Sequence, residues 1–407
     1  MGIKILFVFI ISFLTCLPIA SAEVPYKAAF IRDRQLWMIE NGQEYQITAG
    51  RYIYDPKWSF DGRFIAYLDG DKNGGKMYLF IYDTKQKKSY QPYTTIETRN
   101  FQWSPSANIL AYNSFGVLNI TKTENGIPKG FENVSLGVSD FGWFPDGKSF
   151  IVSSQADLLP TGWGPVHFFK VPVDAQLDTT KIKPFYTIKT NTSDLFAIDA
   201  NFFKWSSDQS WLSFLATPTA SWSADSNTLC VMSASGTNFQ TVGKMLIYED
   251  WIKWSPAENK LAYISGEGRF FVQNKKAAIA DIPAAANQKE YTPAGYVDLD
   301  IEWLSKDEVI VSRAKENKEW EEGPVPEMYT SLYVVNIRSG NQKQLTYPKK
   351  NEADTNPQVV HPYITWFRKG SNGEVWIKNG IHAPEQLWLE NVDGDLTFYK
   401  KKLNYTN

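Results

Sequence analysis

A short tryptophan-centred string recurs along the chain, and it constrains the fold more than any other feature. Lys57-Trp58-Ser59-Phe60-Asp61-Gly62 precedes the apolar run FIAYL, and Gln102-Trp103-Ser104-Pro105 precedes ILAYN. Gly142-Trp143-Phe144-Pro145-Asp146-Gly147 precedes SFIVSS, and Lys204-Trp205-Ser206-Ser207-Asp208 precedes WLSFL. Lys253-Trp254-Ser255-Pro256 precedes KLAYI, and Glu302-Trp303-Leu304-Ser305 leads into VIVS. Successive tryptophans are 45, 40, 62, 49 and 49 positions apart. Periods of about 40–50 residues, each holding several short β-runs, belong to a propeller, in which every unit buries its faces against its neighbours.

Each unit reads the same way. A strand ends at the Trp, a Pro-Asp-Gly-like turn follows, and then come an alternating strand such as FIAYL and a third such as MYLFIYD (77–83) or LYVVNI (332–337). A fourth runs through segments such as QKQLTY (342–347). The fold class is therefore all-β, a closed β-propeller of four-stranded blades. Near the N-terminus, AAFIR, QLWMI and EYQIT form a unit without its first strand, and DLTFY (395–399) can supply it from the other end. Such closure removes exposed sheet edges. The count is eight blades, or seven if one terminal unit is only a cap.

The string W-S-[PF]-[DS]-[GA]-x-x-[IL]-A-Y at Trp58 and Trp103, echoed at Trp143 and Trp254, resembles the repeat of the TolB-like propeller family. The same repeat occurs in propellers of the prolyl-oligopeptidase class. The resemblance covers nearly all of residues 23–407 and implies the fold. It implies little about function, because one propeller serves many partners. TolB carries an α/β domain before its propeller, whereas this chain enters the repeats soon after Glu23. The peptidases carry a hydrolase domain after theirs, whereas here the repeats run to the last residues, so neither activity is expected to transfer directly.

The first 22 residues read as a Sec signal peptide. Lys4 precedes an apolar run from Ile5 to Leu14, and Ala20-Ser21-Ala22 forms an A-x-A site. A bilayer span needs about 20 apolar residues, so this run is too short. Cys16 opens the alternative of a lipidated cysteine. Export to periplasm, cell wall or medium is expected, with no transmembrane segment after cleavage. Cleavage would leave Cys230 without a second cysteine, so stability must come from burial rather than disulfides. Aromatic residues supply it, with 15 Trp, 21 Tyr and 25 Phe. Lys plus Arg number 42 against 44 Asp plus Glu, so no global field draws nucleic acid.

Candidate functional residues fall on one face. Strand alternation places the loops between second and third strands beside the blade-to-blade connections. The long loops 155–166, 216–227 and 314–329 each carry a Trp that no blade position explains: Trp163, Trp222 and Trp320. Exposed aromatics anchor protein or sugar partners, while the plain alternative is a side chain folded back onto its own blade. Asp55, Asp140 and Asp300 stand three positions before a repeat Trp and Asp250 four, which would ring the channel mouth with carboxylates. They could receive a cation or a basic peptide, or each could cap its own turn. Asp69-Gly70-Asp71-Lys72-Asn73-Gly74 has the opening spacing of a calcium loop, making Asp69, Asp71 and Asn73 a weak metal candidate. Phe80 stands where the closing Glu should be, so a turn is the simpler reading. There is no G-x-S-x-G elbow and no HExxH. The expectation is a monomeric, exported, non-catalytic propeller, without cofactor, binding a protein or peptide through its long loops. The alternative is a glycan-active lyase or hydrolase of the envelope.

Overall fold

In the computed structural model, residues 26–93, 96–189, 195–284, 288–370 and 372–399 are described. The expected signal peptide, its cleavage site and Cys16 lie outside the described residues. Eight four-stranded antiparallel sheets form a ring, which settles the count at eight blades. Blade 1 is closed by both ends of the chain: Val392–Phe398 pairs with Ala28–Arg32, followed outward by Gln35–Glu40 and Gln43–Gln46. The innermost strands of blades 2 to 8 are Tyr52–Trp58, Asn100–Trp103, Asp140–Trp143, Asp199–Trp205, Ile252–Trp254, Tyr296–Trp303 and Ala353–Val360. In each of these blades the next three strands follow outward in chain order.

The repeat string has a local physical cause. At Ser59-Phe60-Asp61-Gly62 the Gly62 N–H donates to the Ser59 carbonyl at 3.0 Å, and the Ser59 hydroxyl accepts from the Phe64 N–H at 3.0 Å. Gly62 has φ +72°, a conformation that most side chains disfavour. Blade 5 repeats the arrangement with Ser206 accepting from Trp211 N–H at 3.0 Å. Such turns join the first strand to the second, on the face opposite the long loops.

The repeat tryptophans latch one blade to the previous one. Each indole N–H donates to an inner-strand carbonyl of the preceding blade. The distances are Trp58 to Thr397 3.1 Å, Trp103 to Lys57 2.9 Å, Trp143 to Gln102 3.2 Å, Trp205 to Trp143 2.8 Å, Trp254 to Lys204 3.0 Å and Trp303 to Lys253 3.0 Å. The residue just before the Trp reaches forward. Lys57 donates to the Phe101 carbonyl at 3.2 Å, Gln102 to Phe141 at 2.9 Å and Lys204 to Ile252 at 3.2 Å. Apolar clusters fill the seams; Phe168 and Phe214, for example, pack edge to face at 4.9 Å between blades 4 and 5. Core burial is thus distributed over seams instead of one centre, which is how a chain of this length folds as one ring.

Candidate functional site

The inner strands carry two sets of charged side chains around the axis. Lys57, Lys204 and Lys253 come from blades 2, 5 and 6. Lys57 pairs with Asp55 at 2.9 Å, and Lys253 lies 3.3 Å from Glu302 and 3.8 Å from Asp250. Burial lowers the Lys204 pKa, while Glu302 and Asp250 outweigh burial and raise that of Lys253. The sequence signal for this set was present in the residue before each Trp, but nothing in a single string says that these residues converge.

The carboxylates divide into two kinds. Asp140 accepts from the Phe202 N–H of blade 5 at 3.0 Å, and Asp300 accepts from the Asn356 N–H of blade 8 at 3.0 Å. Asp395, closing the ring from blade 1, accepts from the Asp55 N–H of blade 2 at 3.2 Å. All three donors, Phe202, Asn356 and Asp55, have positive φ (59°, 49° and 51°) and sit at register shifts in their inner strands. A β-bulge leaves an unpaired N–H, and a carboxylate from the preceding blade takes it up. Asp140 and Asp300 thus cap the next blade's bulge rather than their own turns. Burial pushes Asp140 up to about 7 and Asp300 up to about 6, and raises Asp199 and Asp395. Asp250 is exposed, and Asp55 is half-exposed against Lys57.

The three loop tryptophans occupy different settings. The 155–166 loop contains a small hairpin, Leu158–Leu159 paired with Gly162–Trp163, and Trp163 is half-buried against the blade 4–blade 5 cluster. Trp222 lies on a single helical turn, Ala220–Ser223, is 63% exposed, and meets Phe196 edge to face at 5.7 Å. Trp320 is half-buried against Phe270 of the preceding blade's loop at 4.8 Å, and its indole N–H has no partner among the described residues. Loops of blades 5, 6 and 7 are tied together by the bidentate Arg269–Asp225 pair at 2.9 and 2.7 Å and by Asn317 N–H to Val272 O at 2.9 Å. The face also exposes Leu158, Phe270 and Tyr329. In the calcium-like string, the Asp71 carboxylate accepts from Asn73 N–H at 3.1 Å and Gly75 N–H at 2.8 Å. Asp69 sits 3.9 Å from Arg51. Among the described residues no group of three or more His, Cys, Asp or Glu is placed to hold a metal. His167 Nδ1 lies 3.1 Å from the Thr187 hydroxyl.

No family model matches the chain. A curated relative, the uncharacterized peptidase YuxL of Bacillus subtilis (strain 168), is 34% identical over 118 residues, 26% of this chain and 18% of the relative. The dipeptidyl peptidase 4 of Porphyromonas gingivalis superposes with a TM-score of 0.58 at 11% identity, over 92% of this chain and 59% of that one. A puromycin-hydrolyzing peptidase of Mycobacterium tuberculosis gives 0.52 at 13%, over 84% and 54%. TolB of Acinetobacter baumannii is also a neighbour, at 0.36 and 14%, over 79% of this chain and 63% of that one. The chain thus spans less than two thirds of the length of each of these proteins, and at such identities the solved structures speak to the fold alone. What the two peptidase structures share with this chain is the propeller fold.

These findings correct the expectation of a non-catalytic binding propeller, and with it the expectation that the chain is no enzyme. The sequence relative, matched over 118 residues, is a peptidase, and the structures that share this chain's fold are peptidases. The error has a physical source. Blade strings record how seams are packed, so the absence of a nucleophile motif among them says nothing about the enzyme class to which a propeller belongs.

Proposed function

We propose that this chain is the propeller part of a peptidase-type enzyme, receiving peptide on its loop face and at its channel mouth. The observation that carries this reading is the peptidase relative at 34% identity, supported by peptidase propellers superposing over most of the chain. The chemistry of the face suits the substrate. A peptide offers a terminal ammonium, a terminal carboxylate and apolar side chains. The ring offers Asp55 beside Lys57 and Glu302 beside Lys253, and the loop face exposes Trp222, Phe270 and Leu158. Such a mixed surface binds peptide ends without the uniform field that selects nucleic acid. Peptide-bond chemistry belongs in this reading to a hydrolase module working with the propeller, and the propeller governs which peptides reach it. Export through residues 1–22 is part of the proposal, and N-terminal sequencing of the natural protein should find Glu23.

The test is a panel of peptidyl p-nitroanilides, with a fluorophosphonate probe for an activated serine, applied to the natural protein and its isolated complexes. Hydrolysis of short peptides, with unfolded proteins excluded, is the expected result. No hydrolysis and no labelling in any natural form of the protein would sink the peptidase reading.

A further inference from the structure

Arg34 is an unusual arginine in this chain. Of the nine arginines, seven pair with carboxylates: Arg32, Arg51, Arg63, Arg269, Arg313, Arg338 and Arg368. Arg99 donates to the main-chain carbonyls of Gly74 and Gly75. Arg34 has neither kind of partner among the described residues. Its guanidinium lies 4.7 Å over the Tyr52 ring and donates to the Tyr52 hydroxyl at 2.7 Å. That contact fixes the planar fork while leaving most of its N–H donors unused, and such a fork matches a carboxylate in a bidentate way.

The backbone under Arg34 is itself held in an unfavourable form. Asp33 and Arg34 are the two central residues of the hairpin turn between Ala28–Arg32 and Gln35–Glu40, with φ of 50° and 62°. Turns of this type favour Asn-Gly, because both central residues need positive φ. Here Arg takes the glycine position, and the Asp393 carboxylate secures it by accepting from the Arg34 N–H at 2.6 Å. Strained positions that the surroundings enforce cluster at binding sites.

The side chain borders a cleft of about 370 Å³ between blades 1 and 2, within the range of small-ligand sites. Lys72 stands at its rim without a carboxylate partner among the described residues, on a loop that Tyr54 fixes by donating to the Asp71 carbonyl at 2.9 Å. Asp395 also lines it, its Oδ2 taking up the Asp55 N–H. Arg34 and Lys72, neither side chain paired with a carboxylate among the described residues, therefore share with Asp393 and Asp395 a space too small for a folded partner, and the Asp393 carboxylate is taken up by the Arg34 N–H.

We propose that this cleft binds the end of a short peptide, with its C-terminal carboxylate on Arg34 and Lys72 and a ligand ammonium toward Asp395. The choice of a peptide over another carboxylate rests on the peptidase reading. The site does not depend on where hydrolysis occurs; it would retain products or select short substrates by their free C-terminus.

Isothermal titration of the natural protein with trialanine, trialanine amide, N-acetyl-trialanine and inorganic phosphate tests this. Trialanine should bind saturably, and the amide should bind about tenfold more weakly or worse, since it lacks the charge that Arg34 reads. Arg34→Ala should weaken trialanine by a similar factor and abolish the acid–amide difference. Arg51→Ala, which removes an exposed arginine of the same face, should change neither. Asp395→Asn should reduce the preference for trialanine over its acetylated form. Equal affinity for acid and amide, no saturable binding, or phosphate bound more tightly than trialanine with the same Arg34 dependence would each overturn the proposal. If Arg34→Ala does not fold, the acid–amide comparison on the natural protein decides alone. Failure here leaves p-nitroanilide hydrolysis untouched. Binding without hydrolysis by any natural form would instead retain the cleft and remove the enzyme.

Discussion

Six of the eight seams carry an indole latch, and the two seams flanking blade 8 do not. In blade 8 the latch position is Val359, aligned with Trp58 through Asn356-Pro357-Gln358 and Asp55-Pro56-Lys57. Its own tryptophans, Trp366, Trp376 and Trp388, sit on other strands, and the Trp366 indole N–H is buried without a partner among the described residues, beside a cavity of about 70 Å³. What joins blade 8 to blade 7 is instead polar main chain at Asp354. Its N–H donates to Thr330 O at 2.9 Å, and its carbonyl accepts from the Ser312 and Thr330 hydroxyls at 2.6 Å each. Beneath it the Asp354 carboxylate takes a bidentate Arg368 at 2.6 and 2.8 Å, with both side chains almost fully buried. Toward blade 1, Gln358 reaches the Leu396 carbonyl at 3.0 Å and apolar packing does the rest. The lesson is that a seam needs its inner-strand carbonyls satisfied and its interior filled, and the indole is one of two solutions.

The largest expected effect tests the solution without an indole. Asp354→Ala strands the Arg368 guanidinium in a buried site, leaving it only Glu385 at 2.8 Å. Removing one partner of a buried pair costs about 3–5 kcal/mol. The denaturation midpoint should fall accordingly, and amide exchange should rise first in blades 7 and 8. A loss below about 1 kcal/mol would mean that main-chain bonds and the apolar packing of Leu332 and Val334 against Ile364 and Trp366 hold the seam without the ion pair. Next in size is the latch itself. Trp303→Phe keeps most of the buried ring but deprives the Lys253 carbonyl of its donor, and an unmet buried group costs about 1–3 kcal/mol. Denaturant unfolding should show that loss at the blade 6–blade 7 seam. No loss would mean that the tryptophans act by volume only, and the contrast with Val359 would lose its meaning.

How much of this the sequence shows depends on the range of the interaction. The Trp58, Trp103 and Trp254 strings announce blades because the turn after each Trp is local: Ser, Pro, Asp and Gly encode it within six residues. Closure by 395–399 was legible too, because unit 28–48 lacks one strand and the tail supplies one. Asp140 and Asp300 were visible as residues but not as caps, since the N–H groups they take up belong to Phe202 and Asn356, 62 and 56 positions away. Arg34 carried no signal at all. Its role rests on what the other arginines do, and pairing is a property of the folded ring. The repeat resembles that of prolyl-oligopeptidase-class propellers as well as TolB, but blade strings encode seams and not chemistry, so the resemblance could not choose between them.

The smallest effect concerns those caps and depends on pH. Asp140 bonds both neighbours of blade 4: its Oδ1 accepts from the Asn100 side chain and its Oδ2 from the Phe202 N–H. Burial raises its folded pKa to about 7 from an ordinary 3.8. An acid whose pKa is raised on folding holds more protons in the native state than in the unfolded one. Its contribution to stability is therefore greatest below pH 4 and declines as pH rises toward 7. Asp140→Asn removes that titration while keeping one carbonyl acceptor. The stability of the variant relative to natural protein should improve between pH 5 and pH 8, by on the order of 1 kcal/mol. Parallel denaturant curves at the two pH values measure it, and the difference cancels the opposing slopes of Asp208 and Asp225, whose pKa values are lowered. A difference that runs the other way would mean that the ionised carboxylate is the better cap. The bulge N–H groups would then stabilise charge more than burial opposes it, and the carboxylate-capped seams would behave as ion sites rather than as neutral latches like those of the tryptophans.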